Sequence, residues 1–454
     1  MERVTVKDFP ELNLGDVRRD HRFVTLIDNI IRQPTSSIPQ QNAGWYQTKA
    51  AYQFFRNEEV TLEGLEKIIR AHGVAQIEGK TQILVLHDMT NISFNGADVE
   101  GLGYLDHAKG SGIMCYNSVA VSTEGLPLAL LYQHTWTRPW DQVGKSKNKK
   151  KTDFEDKESY EWYKGITNVN DSLGRDVHKV HIADRQADVY ELFFSAYEDQ
   201  TDLLIRAYCN RKLANGNHLW DHIAQLEVSS VITLAINDAA GKKKKNIEAS
   251  VRYQEVEILR PSTSKNQYES IKIMAIEVME QGEVANEDDR VLWRLLTTLK
   301  IESMTDVVKC IKWYTLRWLI ERFHFTLKSG TKIEQLQLKQ ATSLQKAISV
   351  YSLAGFKIMQ LVYLSRTHPD ISCEVILTKT QWMVLYMLIH KRSEIPLKPP
   401  AMREAVAWIG RLGGHLGRKS DGPPGLKTVW QGYKRLCDAT EIYEITNQEN
   451  LGKE

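Results

Sequence analysis

Ser303–Gly330 reads SMTDVVKCIKWYTLRWLIERFHFTLKSG, and its pattern predicts one long helix around which the rest of the chain is arranged. Ser303 followed three residues later by Asp306 is an acidic form of the capping box, and Gly330 supplies a stop. Tyr314, Arg317, Glu321 and Lys328 succeed one another at intervals of three, four and seven. At about 100° per residue they fall within an arc of roughly 60°. Trp313, Leu316, Leu319, Ile320 and Phe323 give the same helix apolar faces to bury. The polar stripe is either a functional face turned toward a site or a solvated Arg317–Glu321 pair one turn apart, and the helix alone fits both.

Upstream, two short apolar runs rich in branched residues end on aspartates: TQILVLHD on Asp88 and VHKVHIAD on Asp184. Both read as buried strands. GIMCYNSVAVS (112–122) and PLALLYQHTW (127–136), parted by a short turn, predict a hairpin beside the first strand. RQADVYELFFSAY then reads as a helix and DLLIRAY (202–208) as a strand carrying Arg206. This order of strands and helices belongs to a mixed α/β layer. From about 210 to 300, VSSVITLAI, ASVRYQEVEIL, SIKIMAIEVM and VLWRLLTT predict a β-rich insertion ahead of the long helix. KSKNKKK (145–151) and GKKKKN (241–246) read as basic loops.

Asp88, Asp184 and Glu321 therefore stand out by position. Three carboxylates brought together repel one another unless cations lie between them, and hard oxygen donors suit Mg²⁺, with Mn²⁺ able to replace it. Two ions in such a site activate a water or a 3′-hydroxyl and stabilise the leaving oxygen, which is the chemistry of in-line displacement at phosphorus. An aspartate that ends a strand also commonly caps the next turn, so each one singly has a structural reading as well. His87 and His181 flank the pair, but a histidine near a strand end is more often a satisfied core or surface residue. The chain has no GxxxxGK[ST] loop and no GxSxG, so no nucleotide cofactor and no nucleophile elbow are expected.

The chain of 454 residues has 59 Lys and Arg against 57 Asp and Glu, so net charge does not select a partner. Its five cysteines are scattered without metal-ligand or disulfide spacing, and no signal peptide or long uncharged apolar stretch is evident, which points to the cytoplasm and away from a membrane. Residues 1–75 are expected to be helical, with Arg18, Arg19, Arg22 and Arg56 available to grip a phosphate backbone. Beyond the Pro-rich IPLKPP, amphipathic helices carry Trp408, Trp430 and Tyr433.

Tyr314, Arg317, Glu321 and Lys328, spaced Y-x(2)-R-x(3)-E-x(6)-K, resemble the YREK signature of the DDE transposases of bacterial insertion sequences, in the IS-four family. LGDVRRDHR, AYQFFRN, LHDMTNISF, ADRQAD, WRLLTT and AWIGRLGG extend the likeness over almost the whole chain. The resemblance implies an RNase H-like catalytic core at 76–370, interrupted by the β-rich insertion, between a helical DNA-binding domain at 1–75 and a helical dimerisation domain at 371–454. It implies that Asp88, Asp184 and Glu321 hold two divalent ions. Tyr314, Arg317 and Lys328 would hold phosphates of the element's end, with Arg206 near the active site. Trp293 would stack on a flipped base, against a competing reading as a core indole. Arg22 and Arg56 match the end-binding region. The expected partners are element-end DNA, target DNA and a second copy of the chain in a synaptic complex, in the bacterial cytoplasm at the nucleoid. ADRQAD carries Gln186 where the family more usually has an acid, so one outer carboxylate is missing. Two other readings remain: a metal-dependent endonuclease on the same fold, and a non-catalytic end-binding regulator.

Overall fold

The computed structural model describes residues 4–451 apart from 43, 106–109, 144–152, 200, 238–243, 263, 267, 285, 288–289 and 419–420. The basic KSKNKKK segment lies outside the described residues, as does the start of GKKKKN.

Four helices open the chain: α1 (Val17–Arg32), α2 (Ile38–Gln41), α3 (Trp45–Arg56) and α4 (Leu62–Ile77). Asp16 caps α1 by accepting from Arg18 N–H, and Thr61 caps α4 by accepting from Gly64 N–H. Phe23, Ile27, Ile30 and Ile31 repeat at helical spacing and are all buried.

The strands follow as β1 (Gln82–Ser93), β2 (Gly103–Tyr104), β3 (Ser111–Val121) and β4 (Pro127–Trp136). Helix α5 (Tyr160–Leu173) leads to β5 (His178–Ala183), α6 (Tyr190–Glu198) and β6 (Asp202–Arg206). After α7 (Leu219–Ala224) come β7 (Ser230–Asn237), β8 (Lys244–Leu259), β9 (Ser270–Glu280) and β10 (Leu292–Thr297). All ten described strands belong to one mixed sheet, ordered β3-β1-β5-β6-β10-β9-β8-β7, with β2 and β4 both on β3. β1, β5 and β6 are mutually parallel and the rest pair antiparallel. The β-rich stretch is therefore not set apart: β10 lies against β6, and β9, β8 and β7 add to its free edge, which extends the sheet.

Side chains of β1 alternate between two apolar cores, Leu84 and Leu86 on one side and Ile83 and Val85 on the other. Helices α5 and α6 cover the second side with Trp162, Ile166, Leu192 and Phe193. The first side is covered by α8 (Met304–Thr315), α9 (Trp318–Phe325) and α10 (Ala341–Thr367). Helix α10 is long and apolar enough to cross a membrane, yet most of it is buried inside this protein. α12 (Met402–Leu412) and α13 (Leu426–Leu451) pack on α10, and α11 (Lys379–His390) packs on α12 and α13. The five cysteines are free, four of them buried and Cys209 exposed.

The stretch 303–330 is not one regular helix. The capping box of Ser303 and Asp306 forms and α8 runs to Thr315. Leu316 and Arg317 then bond back three residues, which tightens the backbone before α9. The last turn, Thr326–Gly330, is a π turn closed by Thr331 N–H on Thr326 C=O. Trp430 of α13 explains the ending: its indole lies over Gly330, where an added Cβ would come within 2.6 Å of Cη2. The same indole stacks on Phe325 at 5.8 Å, so one residue braces both ends of the π turn. Gly330→Ala should destabilise the protein by about 1–3 kcal/mol through this overlap, read as a shift in the urea unfolding midpoint, and Trp430→Leu in the same chain should recover part of that loss.

Candidate active site

The parallel ladder between β1 and β5 ends with Leu86 opposite Ile182. Two residues further along each segment stand Asp88 and Asp184, near enough for the charge of Asp184 to act on Asp88. Asp184 sits just past the end of β5, where it caps the next turn by accepting from Gln186 N–H at 2.8 Å. Asp88 differs from the sequence expectation. It is not at a strand end, because β1 continues to Ser93 along β3, and Asn117 is its partner there. What ends at Asp88 is only the parallel pairing.

Helix α9 packs against β1 and delivers Glu321. The Arg317 guanidinium joins the acids: Nη2 donates to Glu321 Oε1 at 2.5 Å, and Nη1 lies 4.0 Å from Asp88 Oδ2. Burial pulls the Arg317 pKa down, but Tyr314, Glu321 and Asp88 together raise it, so it is a fixed cation. Asp88 goes the other way, pushed up to about 7 by burial and by the neighbouring charges of Asp184 and Glu321, with Arg317 opposing. Lys328, on the π turn, is lowered by burial, with Glu334, Cys115 and Asp88 opposing. Tyr314 is buried, its hydroxyl is raised by that burial, and its ring meets Trp293 of β10 edge to face at 5.2 Å. Arg206 ends β6 beside them, with Nη2 donating to Leu292 C=O at 3.0 Å.

Eight of the ten residues singled out from the sequence are thus drawn into one cluster: Asp88, Asp184, Glu321, Tyr314, Arg317, Lys328, Trp293 and Arg206. Arg22 and Arg56 stand elsewhere, on α1 and α3. Arg22 donates to Gln47 Oε1 at 2.7 Å, tying the two helices together, and Arg56 is exposed at the end of α3. The sequence reading passed over His324, which is buried with Nδ1 3.8 Å from Asp88 Oδ2 and Nε2 3.1 Å from Asn117 Nδ2. Burial, together with Lys328 and Arg317, lowers its pKa to about 3. Its position three residues after Glu321 on a helix was an available signal. Nothing in the sequence links Asn117 to Asp88, since that depends on strand register. His87 and His181 point into the opposite core and bond to each other.

The donor set suits a hard divalent cation, being oxygen-only at the acids and carrying a negative charge that Arg317 offsets in part. Among the described residues, however, no group of three or more His, Cys, Asp or Glu is gathered tightly enough to hold a metal, and Arg317 stands between Glu321 and Asp88. The raised Asp88 pKa has a direct consequence for stability. Its folded value lies above the unfolded one, so the native state is favoured in the protonated form and that advantage is lost as pH rises from about 4 through 7. Asp88→Asn removes this dependence. In EDTA, the variant should gain stability over the parent by about 2 kcal/mol between pH 5 and pH 8, measured from denaturant midpoints at each pH.

Residues 1–60 match the family described as Transposase DNA-binding, and residues 353–444 match the Transposase Tn5 dimerisation domain. Among solved structures, the chain is similar to a piggyBac transposase, described in a cryo-EM structure of its synaptic complex with hairpin DNA. The identity is 9% and the TM-score 0.39, over 77% of this chain and 66% of that one, so the chain spans just under two thirds of that protein's length. The first helices thus match a transposase DNA-binding domain and the last a Tn5 dimerisation domain, and together the two matches support a Tn5-like transposase.

Proposed function

We propose that this transposase works by cut and paste: it binds the terminal repeats of its element, cleaves them by metal-dependent phosphoryl transfer through a hairpin intermediate, and joins the 3′ ends to target DNA. The observation that carries the reading is the acid cluster, with Asp88 and Asp184 side by side where two parallel strands part and Glu321 facing them through Arg317. Open α/β sheets bind ligands where their parallel strands end. The core is read as RNase H-like and the signature as that of the IS-four group. The protein would act as a synaptic homodimer on nucleoid DNA in the bacterial cytoplasm.

Asp88, Asp184 and Glu321 would hold two Mg²⁺ ions, or Mn²⁺ in their place. Those ions would lower the pKa of the attacking water or 3′-hydroxyl and stabilise the leaving oxygen. Arg317 is placed to exchange its carboxylate partners for a phosphate of the end strand, which frees Glu321 as a ligand. Lys328 and Tyr314 supply a further cation and a hydroxyl for the same strand. The indole of Trp293 is partly exposed and rests edge-on against Tyr314, so one face is supported while it stacks on an extruded base. Arg206 lies beside that platform. Arg22 and Arg56, on the matched DNA-binding region, would grip phosphates along the repeat.

The test is cleavage of labelled DNA carrying the element's terminal repeat in Mg²⁺. The parent protein should give hairpinned ends and joined products, and Glu321→Ala should lose about three orders of magnitude in rate while still binding the end. Trp293→Ala should nick normally and accumulate nicked DNA without hairpins. Cutting without hairpins or joining by the parent would replace this reading with an endonuclease, and binding without cutting would replace it with an end-binding regulator.

A further inference from the structure

His87, one residue before Asp88, and His181, three before Asp184, face the opposite core and are 0% and 1% exposed. They belong to a chain of hydrogen bonds whose direction is fixed from one end. Asn170 Nδ2 of α5 donates to the Asp199 carboxylate at 2.9 Å, so Asn170 presents Oδ1 to His181 Nε2 at 3.0 Å. His181 must therefore carry its proton on Nε2. Burial holds both imidazoles neutral, which leaves His181 Nδ1 as the acceptor for His87 Nε2–H at 2.8 Å. His87 Nδ1 then accepts from one of the hydroxyls of Tyr116 and Ser118, which lie at 2.9 and 3.0 Å and also bond to each other. Gly165 lets α5 pass over Tyr116, since an added Cβ there would overlap the phenol at 2.3 Å from its oxygen.

Such a chain is costly to bury, and its surroundings, Ile83, Val85, Trp162 and Ile166, would accept two aliphatic side chains without any polar requirement. Its location shows what it does. The backbone ladder pairs Val85 with His181 and ends at Leu86–Ile182. No β1–β5 backbone pairing reaches Asp88 or Asp184. The imidazole of His87, immediately before Asp88, reaches diagonally back across the gap to β5. That bond holds β1 immediately before Asp88 to β5 at His181, three residues before Asp184.

We propose that the His87–His181 hydrogen bond positions the acids: it sets the separation of Asp88 from Asp184 by tying β1, one residue past its last ladder pair, back to β5 at His181 within the ladder. Both histidines are positioning residues, with no contact to substrate or metal. Fully satisfied buried networks specify one geometry where apolar packing tolerates several. The proposal rests on the reading of Asp88 and Asp184 as metal ligands.

The experiment uses the full-length protein with Mn²⁺ alone, its binding read from the EPR signal of the free ion, next to end-DNA affinity and the nicking rate. His181→Leu should weaken Mn²⁺ binding and slow nicking by about tenfold each, in the range of other outer partners of metal ligands, and leave end-DNA affinity within about twofold. His181→Gln, whose amide keeps an acceptor for His87 and a donor for Asn170, should recover most of both losses. The double variant His87→Leu with His181→Leu should be no worse than the single one, because both remove one link. Unchanged Mn²⁺ binding and nicking in a folded His181→Leu protein would overturn the proposal. So would a His181→Gln protein as defective as the leucine variant, since packing would then be the cause. Asp184→Asn separates the two levels: if it leaves Mn²⁺ binding intact, the metal reading fails and the positioning proposal falls with it.

Discussion

The parallel pairing of β1 with β5, and the point at which it stops, governs the rest of this molecule. Parallel strands need both faces covered, and the two apolar cores do this with α5 and α6 on one side and α8 to α10 on the other. At Leu86 and Ile182 the pairing ends while β1 runs on along β3. The opening between the strands therefore receives the acids, Asp88 from within β1 and Asp184 from the residue just past β5. This gives Asp88 a rigid antiparallel support on one side and a neighbouring carboxylate on the other. A site held in this way is more rigid than one built on loops.

Electrostatics then works against stability in favour of chemistry. Burial and the charges of Asp184 and Glu321 raise the proton affinity of Asp88. Arg317 opposes this in part, and does so with the group that is best suited to a phosphate. One guanidinium thus offsets part of the negative charge of Glu321 and Asp88. The same double use holds for Lys328, half-buried among Glu334 and Asp88, where a phosphate would repay the lost hydration.

Much of this was legible in the sequence because it depended on local pattern. The apolar runs ending on Asp88 and Asp184, the capping box at Ser303 and the hairpin at 112–136 are each written in consecutive residues. The YREK spacing brought Glu321, Arg317, Tyr314 and Lys328 to one region even though the assumed helix is broken twice, because each break alters the rotation by less than the width of the stripe. What was not legible depends on contacts distant in the chain. The continuation of β1 past Asp88 follows from β3, and the addition of β7 to β9 to the catalytic sheet follows from the free edge of β10. The buried histidine chain needed the β1–β5 register, since His87 and His181 are 94 residues apart.

A regular helix through 326–330 would end elsewhere and present Lys328 at another angle, because a π turn inserts one extra residue into the ladder. The turn is held by Trp430, which lies over Gly330 and against Phe325. Trp430 belongs to α13, inside the region matched to the dimerisation domain. The turn that carries Lys328 is therefore shaped in part by a helix distant in the chain. The region matched to the dimerisation domain and the turn that carries Lys328 thus share one packed contact.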